Sequence, residues 1–569
     1  MKVMLWTAAI DDRASFGAIA SRIGLNADAH RFHDETDMFA AVTQEHEENE
    51  LACVLVDEAQ FLTEDQVWQC ARLADEIGIP VLCYGIRSDF QGNLFPGSLR
   101  LLNIADKLSE LKNGALKFAE WYYGPQNRFL ASSQLEINPD KKWLEKGTIT
   151  AAFQNIEESR IQRKFGSLKR SYREETVNVF SLNGDFTVPL AEKRDLGYGF
   201  EVAYNDVNSN SYGKTLKINK GDIIGFDADF VVQSRYPDGG SSYFSSAMYL
   251  DYRQDISSKS TLNTGIRLTN TQLNATWVDD TFITLPDTDI DLNNTALTAT
   301  VGYVYKPVKN WQLNAVLSSG FRSPNIDDVG KVREKNGKVT VPNITLKPEH
   351  AYSAEIGVQK YFNDRKFRVG ANVYYTLLNN YIYREAFQLN GSSTILYDGE
   401  DGDIVANVNK GTAYITGATV SYQGKIFENW NTSGFLTYTK GKAYDTNLPM
   451  SSIPPLFGRF ELNYSKNKFE GGANLVFNAK KNIEDYNLDE GIDNHQQTPV
   501  INDNANEDLD KYYGSPSWMT VGLYAKYIVN NNISVQTQFT NLFDEHYKEF
   551  ASGVSAPGRN ISVSLITNF

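Results

Sequence analysis

The chain has 569 residues, with 55 Lys+Arg against 70 Asp+Glu, which gives a formal net charge of -15 at pH 7. This acidic balance argues against a nucleic-acid partner, because phosphate binding needs a basic surface. Mean hydropathy is -0.40 and no apolar run is long enough for a spanning helix, yet strands that alternate apolar and polar residues can cross a bilayer at this average.

Composition changes sharply close to residue 112. All three cysteines (Cys53, Cys70 and Cys83) lie before that point, together with only one of the 31 tyrosines, Tyr84. Reduced thiols are typical of cytosolic proteins, and their absence is typical of exported ones. The first residues have no apolar h-region and no small-residue cleavage site, so we predict no signal peptide and a cytoplasmic location if the chain is not exported.

The first region, residues 1–112, has the pattern of alternating strands and helices. We predict strands at 2–8, 52–56 and 80–84, and helices at 33–48 and 64–77. Continuous apolar runs such as CVLV fit the strands of a parallel sheet that helices cover on both faces. We therefore expect a small α/β fragment here.

Two adjacent carboxylates, Asp57 and Glu58, follow the predicted strand 52–56. A carboxylate at the end of such a strand can hold Mg²⁺, often through water, and a second one can accept the proton of an attacking hydroxyl. Acidic pairs after buried strands are also common in solvated loops. The pair by itself therefore leaves catalysis and a solvated loop as alternatives.

Several stretches of this region resemble bacterial thymidine kinase of the two-domain, zinc-bearing type. They are AIDDR at 9–13, SRIG at 21–24, LVDEAQFL at 55–62, VLCYGIRSDFQGNLFPGS at 81–98 and ADKLSELK at 105–112. The resemblance implies ATP and Mg²⁺ as cofactors and phosphoryl transfer to thymidine.

The same resemblance implies two groups of site residues. The nucleotide-binding group is Arg13, Asp57, Glu58, Ala59 and Gln60. The substrate-binding group is Arg87, Asp89 and Phe90. Glu58 is implied as the proton acceptor, and Phe90 is implied to line the thymine pocket.

Two parts of the kinase pattern are missing from the chain. No G-x-x-x-x-G-K-[ST] motif occurs, so a backbone cradle for the ATP phosphates and its lysine are not encoded. The zinc-binding cysteines expected after Lys112 are replaced by unrelated sequence. Since positioning and electrostatic stabilisation depend on the cradle, we expect no useful kinase activity.

The second region repeats one pattern, which residues 351–378 display best. Tyr352, Ala354, Ile356 and Val358 alternate with polar residues, and the alternation restarts after the turn at Asn363. Each arm has about ten or eleven residues, which suits a tilted strand crossing a bilayer. One such hairpin also fits a soluble barrel, but about seventeen similar segments follow one another from residue 129 onward, and this repetition favours a membrane barrel.

The connections between these segments alternate in length. Short turns fall at 138–140, 308–310, 363–364, 428–429, 465–468 and 529–532, whereas long polar loops fall at 270–295, 322–350, 384–412 and 480–517. Tight turns at one end and long loops at the other are typical of outer-membrane barrels. Tyr374, Tyr375, Tyr381 and Tyr383 fit the aromatic girdles at the two membrane interfaces.

Particular motifs in this region resemble the C-terminal barrel of TonB-dependent outer-membrane receptors, in variants found in Bacteroidetes. They are AEWYYGPQNR at 119–128, AAFQNIEESRIQRKFGS at 151–167, SSGFRSPNIDDVG at 318–330, PNITLKPEHAYSAEIGVQ at 342–359, IPPLFGR at 453–459, NLFDEHY at 541–547 and the ending PGRNISVSLITNF. The resemblance implies an outer-membrane location, contact with membrane lipid, a TonB partner, and import of a small-molecule ligand of the iron-chelate class, with no cofactor required.

The receptor pattern is also incomplete. Transporters of this kind close about 22 strands around a plug, whereas the plug, its TonB-contacting segment and about five strands are not recognisable in this sequence. Such a barrel has two unpaired edges, which lipid does not tolerate. Either the strands close into a narrower, strained ring or the fragment does not insert.

We therefore predict a mainly β protein: an incomplete antiparallel transmembrane β-barrel with a small N-terminal α/β fragment like that of P-loop kinases. Residues 1–112 are assigned to the kinase-like fragment, 113–128 to a linker and 129–569 to the barrel. The favoured function is that of a receptor and transporter barrel fused to a truncated kinase. Thymidine kinase activity and a mis-joined product that performs neither task are the alternatives.

Metal chemistry has little support in the barrel region. His350, His495 and His546 are isolated and lack ligand spacing. Loop carboxylates are more numerous, and they can meet a cationic or metal-chelate ligand at the extracellular mouth or remain solvated. They are Asp327, Asp328, Asp398, Glu400, Asp401, Asp403, Glu507, Asp508 and Asp510.

Overall fold

The computed structural model describes residues 2–10, 18–20, 26–86, 94–105, 118–139, 141, 143–219, 222–280, 282–335, 337–487, 498–502 and 511–568. Its internal contacts divide the chain into two compact units, Met1–Leu116 and Lys117–Phe569. Among the described residues, no helix has the length and apolar character needed to span a membrane.

The N-terminal unit is built on a parallel sheet with the order β4-β1-β5-β6 among its described residues. Its strands are β1 Lys2–Ala8, β2 Ala18–Ala20, β3 Asn26–Asp28, β4 His30–Phe32, β5 Leu51–Val56 and β6 Val81–Cys83. Its helices are α1 Met38–Asn49, α2 Glu64–Arg72 and α3 Pro96–Ile104. The parallel sheet confirms the α/β prediction.

Two helix boundaries differ from the prediction for identifiable reasons. The helix expected at 33–48 begins at Met38, because residues 30–32 join the sheet and the Asp37 side chain caps α1 by accepting from Ala40 N–H at 2.9 Å. The helix expected at 64–77 begins as predicted, behind a capping box formed by Thr63 and Gln66. It ends as an α-helix at Arg72 and continues as a π-helical turn, Leu73–Ile77.

The core of this unit lies between the sheet and its helices. Trp6 on β1 and Val54 and Val56 on β5 are buried, and they belong to one apolar cluster with Val42 of α1 and Val67 of α2. Burial of such side chains stabilises a fold by about 1.5–3 kcal/mol each. The cluster therefore fixes β5, and with it the loop that follows β5.

The second unit is a sheet whose strand order closes on itself as a barrel. Its strands are β7 Phe118–Tyr123, β8 Asn127–Ile137, β9 Lys146–Lys164, β10 Lys169–Ala191, β11 Arg194–Asn219, β12 Asp222–Phe230, β13 Ser241–Ser257, β14 Ser260–Thr276, β15 Asp289–Tyr305, β16 Trp311–Arg322, β19 Glu349–Phe362, β20 Phe367–Asn379, β24 Thr412–Phe427, β25 Trp430–Ala443, β26 Phe457–Lys466, β27 Phe469–Asn478, β32 Trp518–Ile528, β33 Ile533–Thr540 and β34 Asn560–Thr567. Strand β7 lies inside the segment 113–128 that the sequence assigned to a linker.

These strands occupy seventeen positions around the described barrel. Strands β7 and β8 share a position, since both pair with β9, and β12 and β13 share another, since both pair with β11. The estimate of about seventeen strands is therefore confirmed. Of the two outcomes that the sequence left open, the structure has the closed order, with β34 beside β7.

The two ends of the barrel differ. Tight turns at 192–193, 258–259, 306–310, 363–366, 428–429, 467–468 and 529–532 all lie at one end, which we name the turn end. Connections at 277–288, 323–348, 380–411, 444–456, 479–517 and 541–559 all lie at the opposite end, the loop end. The predicted segregation holds for these connections, although β9 and β10 are joined at the loop end by the short turn 165–168, and β14 and β15 extend through much of the stretch 270–295 that was expected to be a loop.

The connections at the loop end carry structure of their own. A small sheet forms from β17 Arg333–Lys335, β18 Lys338–Thr340, β21 Ile382–Ala386, β22 Thr394–Tyr397 and β23 Glu400–Asn409, beside the short helix α4 Ile326–Val329. Short strands β28 Lys481–Asn482, β29 Val500–Asn502, β30 Lys511–Tyr512 and β31 Gly514–Ser515 complete the set. We name residues 277–288, 323–348 and 380–411 the loop assembly, because buried side chains such as Trp277, Val339 and Ile404 pack there into one core.

Strand β20 shows how the two faces of the barrel differ. Val373 and Tyr375 stand on the apolar row and are 55% and 40% exposed. Asn372, on the other row, donates from Nδ2 to Glu355 Oε1 at 3.4 Å. The apolar row therefore points outward and the polar row lines the lumen, as the alternation predicts.

Candidate functional sites

The segment Asp57–Gln60 follows β5 at the carboxyl end of the parallel sheet. The Asp57 N–H donates to Trp6 O at 2.8 Å, and the Ala59 N–H donates to Tyr84 O at 2.8 Å, so the neighbouring strands hold the segment on both sides. Glu58 has φ 53° and ψ 37°, a left-handed conformation that is uncommon for a residue with a side chain. This conformation turns the chain into the 3₁₀ turn Ala59–Phe61.

Gln60 holds the Glu58 carboxylate in place. The side chain of Gln60 is buried, with 2% of the residue exposed. Its Nε2 donates to Glu58 Oε2 at 2.5 Å, while its Oε1 accepts from Ile86 N–H at 3.2 Å. A neutral amide that is fixed at both ends leaves the carboxylate oriented, which suits a group that accepts a proton.

Four of the implied site residues come together here, because Asp57, Glu58, Ala59 and Gln60 are consecutive. The other four, Arg13, Arg87, Asp89 and Phe90, lie outside the described residues, so their roles remain predictions.

Two glycines that the sequence did not single out shape this segment. A Cβ at Gly97 would lie 2.6 Å from Ala59 O, 2.7 Å from Leu62 O and 2.9 Å from Gln60 O. A Cβ at Gly85 would lie 2.5 Å from Gln60 Oε1. Only glycine permits these approaches, and no pattern in the sequence signals them.

At the loop end, the predicted carboxylates bind other loop residues. Asp327 pairs with Lys331 Nζ at 2.8 Å and accepts from Tyr236 Oη at 2.6 Å. Asp328 pairs with Arg322 at 2.6 Å and takes part in the capping box of α4 with Asn325. These contacts make the carboxylates structural ties within the loop assembly.

The remaining predicted carboxylates divide into three groups. Asp398 and Glu400 pair with Lys164 Nζ at 3.5 and 2.8 Å, which joins the loop assembly to the end of β9. Asp401 and Asp403 lie on β23. The stretch Glu507, Asp508 and Asp510 lies outside the described residues.

Electrostatics at Asp327 follow from burial and from its two donors. Burial raises the pKa of Asp327, but the hydrogen bonds from Lys331 and Tyr236 outweigh it, so the pKa lies below its ordinary value. Burial lowers the pKa of Lys331 despite the bond to Asp327. Burial and the bond to Asp327 raise the pKa of the Tyr236 hydroxyl.

A small pocket of about 190 Å³ at the loop end is the candidate ligand site of the barrel. Its lining residues are Tyr381, Ile382, Tyr383, Glu385, Lys410, Ala443, Thr446, Leu448, Pro449, Met450, Ser451 and Asn487. The Tyr381 and Tyr383 rings meet edge to face at 6.3 Å, and Lys410 forms an ion pair with Glu385. Aromatic faces beside a charge pair suit a ligand with both apolar and polar parts.

This pocket corrects one expectation about the tyrosines. Tyr381 is 5% exposed and packs with Ala413 and Ala443, so it belongs to the pocket and not to an interfacial girdle. Tyr374 lies on the lumen-facing row, with its hydroxyl 2.9 Å from Thr439 Oγ1. Tyr375 does stand on the outward row, where its ring stacks on Tyr414 at 5.8 Å.

Comparison with protein families gives two matches. Residues 84–542 match the family described as TonB dependent receptor-like, beta-barrel, and residues 1–116 match the thymidine kinase family. The two ranges overlap over 84–116, where the fold places helix α3 in the N-terminal unit.

The relatives of the N-terminal segment are thymidine kinases. The enzyme of Novosphingobium aromaticivorans is 64% identical over 112 residues, which are 20% of this chain and 58% of that protein. The enzyme of Agrobacterium fabrum is 54% identical over 112 residues, again 20% of this chain and 58% of the relative. The chain thus spans 58% of the length of these relatives.

Solved structures resemble the barrel. The copper transporter OprC has a TM-score of 0.60 at 17% identity, over 78% of this chain and 65% of that one. The siderophore receptor PiuA of Acinetobacter baumannii has a TM-score of 0.53 at 15% identity, over 78% of this chain and 64% of that one. At such identities the likeness concerns the fold alone.

Proposed function

The chain belongs to the TonB-dependent receptor-like β-barrel family and carries a thymidine kinase segment at its N-terminal side, and from this premise we propose that the barrel is an outer-membrane receptor that imports a small-molecule ligand with a TonB partner. The segregation of tight turns and folded loops at opposite ends of the barrel is the observation that carries the proposal. In outer-membrane barrels the short turns face the periplasm and the longer loops face outward.

The ligand class follows from the pocket at the loop end and from the neighbours. Proteins with this fold include a copper transporter, a siderophore receptor and a ferric citrate transporter, so a metal chelate is the natural candidate. Tyr383 offers its ring to the organic part of such a chelate, and Lys410 with Glu385 offers a charge of either sign.

Calorimetric titration of the folded full-length chain with ferric catecholate, ferric citrate and cupric ions tests this function. We expect one of the three to bind, and we expect Tyr383→Ala to weaken its binding at least about tenfold, because tyrosines are enriched among the few contacts that carry most of a binding energy. Val420→Ala, on the outward row of β24, is the matched control and leaves affinity unchanged. Equal binding by both variants would remove this pocket from the proposal.

For the N-terminal segment we propose that residues Asp57–Gln60 keep the geometry of a kinase site but do not support phosphorylation of thymidine. The consecutive carboxylates and the Gln60 clamp favour a kinase-like site in which Glu58 is the proton acceptor and ATP with Mg²⁺ is the phosphoryl donor. The chain carries no G-x-x-x-x-G-K-[ST] motif to position the phosphates. An assay with ATP, Mg²⁺ and thymidine is expected to give a rate far below about 1 s⁻¹, the lower end for kinases, and a rate at that level that Glu58→Gln abolishes would overturn this view.

We also place the boundary between the two parts at residues 112 to 116. The match to the thymidine kinase family covers residues 1–116, and the compact units divide after Leu116. Limited proteolysis followed by mass spectrometry tests this boundary, and we expect the first cuts to fall between Lys112 and Phe118.

A further inference from the structure

A groove of about 640 Å³ lies on the barrel wall near the turn end, across β26, β27, β32 and β33. Strand register sets its floor: Tyr464 pairs with Gly471, Gly471 with Ala525, and Ala525 with Thr537. Directly paired residues share a face of the sheet. The groove therefore runs across four strands on a single face.

That face is the outward one. On the opposite row of the same strands, the Tyr524 hydroxyl donates to Asn463 Oδ1 at 3.1 Å, as lumen-facing polar residues do. The groove row is apolar by contrast, and Leu462 and Leu523 on it are 39% and 42% exposed. A concavity on this face opens toward whatever surrounds the barrel.

Small residues lie between bulky ones in the groove. Gly471, Ala473 and Ala525 form the floor. The walls are Trp430, Leu462, Tyr464, Phe469, Leu523 and Phe539. The Trp430 and Tyr464 rings lie 5.0 Å apart and close the side next to β25. The result is an apolar trough with aromatic edges, which a hydrocarbon chain can fill with van der Waals contacts.

A cation lies at the turn-end side of this trough. Lys466 pairs with Phe469, and Phe469 pairs with Tyr527, so these three form the next outward row toward the turns. Lys466 is exposed at the tip of the β26–β27 hairpin. An ammonium at this level of a membrane barrel attracts the phosphate of a lipid headgroup.

We propose that the groove binds one acyl chain of a glycerophospholipid, with the lipid phosphate held by Lys466. This inference rests on the proposed membrane location and adds a lipid site to it. The apolar floor suits a hydrocarbon chain, and the cation beside it suits an anionic headgroup. Lys466 lies closer to the turn end than the floor does, as the headgroup of a lipid lies closer to the membrane surface than its acyl chain.

The chain contains a matched comparison site. Trp311, at the start of β16, also stands at the turn end, and its row partner is Lys360, whose Nζ lies 4.8 Å from the Trp311 ring centroid. Leu313 on the same row is 41% exposed, which marks this row as outward too. Trp311 thus has a lysine beside it and that lysine as its row partner, whereas the row of Trp430 and Tyr464 continues to Gly471 and Ala525.

Quenching of tryptophan by brominated phospholipid tests the proposal. The folded full-length chain in detergent micelles is titrated with 6,7-dibrominated phosphatidylglycerol, and signals of Trp430 and Trp311 are obtained by difference from the Trp430→Phe and Trp311→Phe variants. We expect half-maximal quenching of Trp430 at about fivefold lower lipid fraction than for Trp311, because a lysine stands near both tryptophans but only Trp430 borders a trough that fits an acyl chain. Ala525→Leu, which fills the floor, is expected to abolish this preference.

Lys466→Gln is the second variant, and it keeps the test decisive if Ala525→Leu fails to fold. We expect it to raise the lipid fraction needed for Trp430 quenching while leaving Trp311 unchanged. If both tryptophans are quenched at the same lipid fraction, the lipid site in the groove is refuted, while the proposed membrane location stands. Failure of lipid to quench either one overturns the membrane location itself, so the two failures are distinguishable.

Discussion

Gly97 shows how a missing side chain sets the position of a whole segment. Three carbonyl oxygens, those of Ala59, Gln60 and Leu62, lie within 2.9 Å of where its Cβ would be. Because these are backbone atoms, a methyl group there can be accommodated only if helix α3 moves away from the turn that carries Gln60. The site segment after β5 is therefore fixed partly by a residue 37 positions beyond it, a separation across which no sequence pattern signals contact.

Gly97→Ala is expected to destabilise the N-terminal unit. Alanine stabilises a helix by about 0.5–1 kcal/mol relative to glycine, but overpacking against backbone costs about 1–3 kcal/mol. The net effect on the free energy of unfolding is therefore destabilising. Hydrogen exchange measured by mass spectrometry is expected to show faster exchange, by about fivefold or more, in peptides from α3 and from the turn after β5. Asn103→Ala is the control, because Asn103 is exposed on the same helix and its replacement changes only helix propensity. Unchanged protection against exchange in Gly97→Ala would contradict the close approach of Gly97 to the three carbonyl oxygens.

Asp327 makes the loop assembly sensitive to acid. Its folded-state pKa lies below the ordinary value, so its ionised form contributes stability at pH above the unfolded pKa of about 3.9. That contribution is lost as the pH falls through the lowered folded pKa. Since the Asp327 side chain is 49% exposed, we expect the contribution to be only about 1 kcal/mol, at the low end for a charge-assisted bond.

Trp277 in the core of the loop assembly reports this loss. The difference in fluorescence between the chain and its Trp277→Phe variant is expected to change as the pH falls below about 4. Asp327→Asn lowers stability at pH 7 and flattens the acid dependence. Asp364→Asn is the control, because Asp364 is 90% exposed at a tight turn and has φ 52°, which asparagine tolerates equally well. Identical acid responses in the chain and in Asp327→Asn would exclude the Asp327 contacts as the cause.

At the scale of elements, period-two alternation was sufficient to predict β20 and its partners, because one face of each strand is apolar along its whole length. It did not predict β4, which has three residues, or strands β17, β18 and β21–β23 of the loop assembly. These short segments become strands through pairing with chain that is distant in sequence. The carboxylates at the loop end were visible as charges, but their partner Tyr236 lies on another connection and their partner Lys164 lies at the end of β9, so their structural role became evident only in the fold.

The features of the N-terminal site also divide into those that the sequence predicted and those that it did not. Asp57 and Glu58 were recognisable because loops after parallel strands carry functional groups at the carboxyl edge of a sheet. The buried clamp from Gln60 to Ile86 and the approach of Gly85 were not, because both join residues about 25 positions apart with no shared periodicity.

Strand β20 offers a direct test of which face meets lipid. Val373→Arg, on the outward row near the middle of the strand, is expected to cost about 2–4 kcal/mol, the penalty for arginine on a lipid face at the bilayer midplane. Asn372→Arg is the matched control, because Asn372 faces the lumen and already lies 3.4 Å from Glu355 Oε1. Urea titration of the chain folded in lipid vesicles, followed by tryptophan fluorescence, measures both. Equal stability of the two variants would mean that the Val373 row does not face lipid.

At the scale of the whole molecule, the number of strands determines how the barrel closes. Seventeen positions joined by antiparallel neighbours leave the first and last strands running in the same direction, so the junction of β34 with β7 is a parallel one. Bacterial single-chain barrels ordinarily have an even number of strands. Ile561, Val563 and Leu565 on β34 are 60%, 69% and 68% exposed, and Phe129 and Leu135 on β8 are 59% and 58% exposed. The region of closure is therefore where we expect the barrel wall to open first.

The whole chain is expected to unfold in two steps, because each unit has a separate apolar core, around Val54 in one and within the barrel and its loop assembly in the other. Denaturant titration followed by circular dichroism should lose the helical signal first and the strand signal at higher denaturant, where many ladder hydrogen bonds break together. Gly97→Ala should shift only the first step and Val373→Arg only the second. The double variant should show both shifts, additive within about 0.5 kcal/mol, as for sites that share no contacts. A single transition that both substitutions shift would mean that the kinase segment and the barrel fold as one cooperative body.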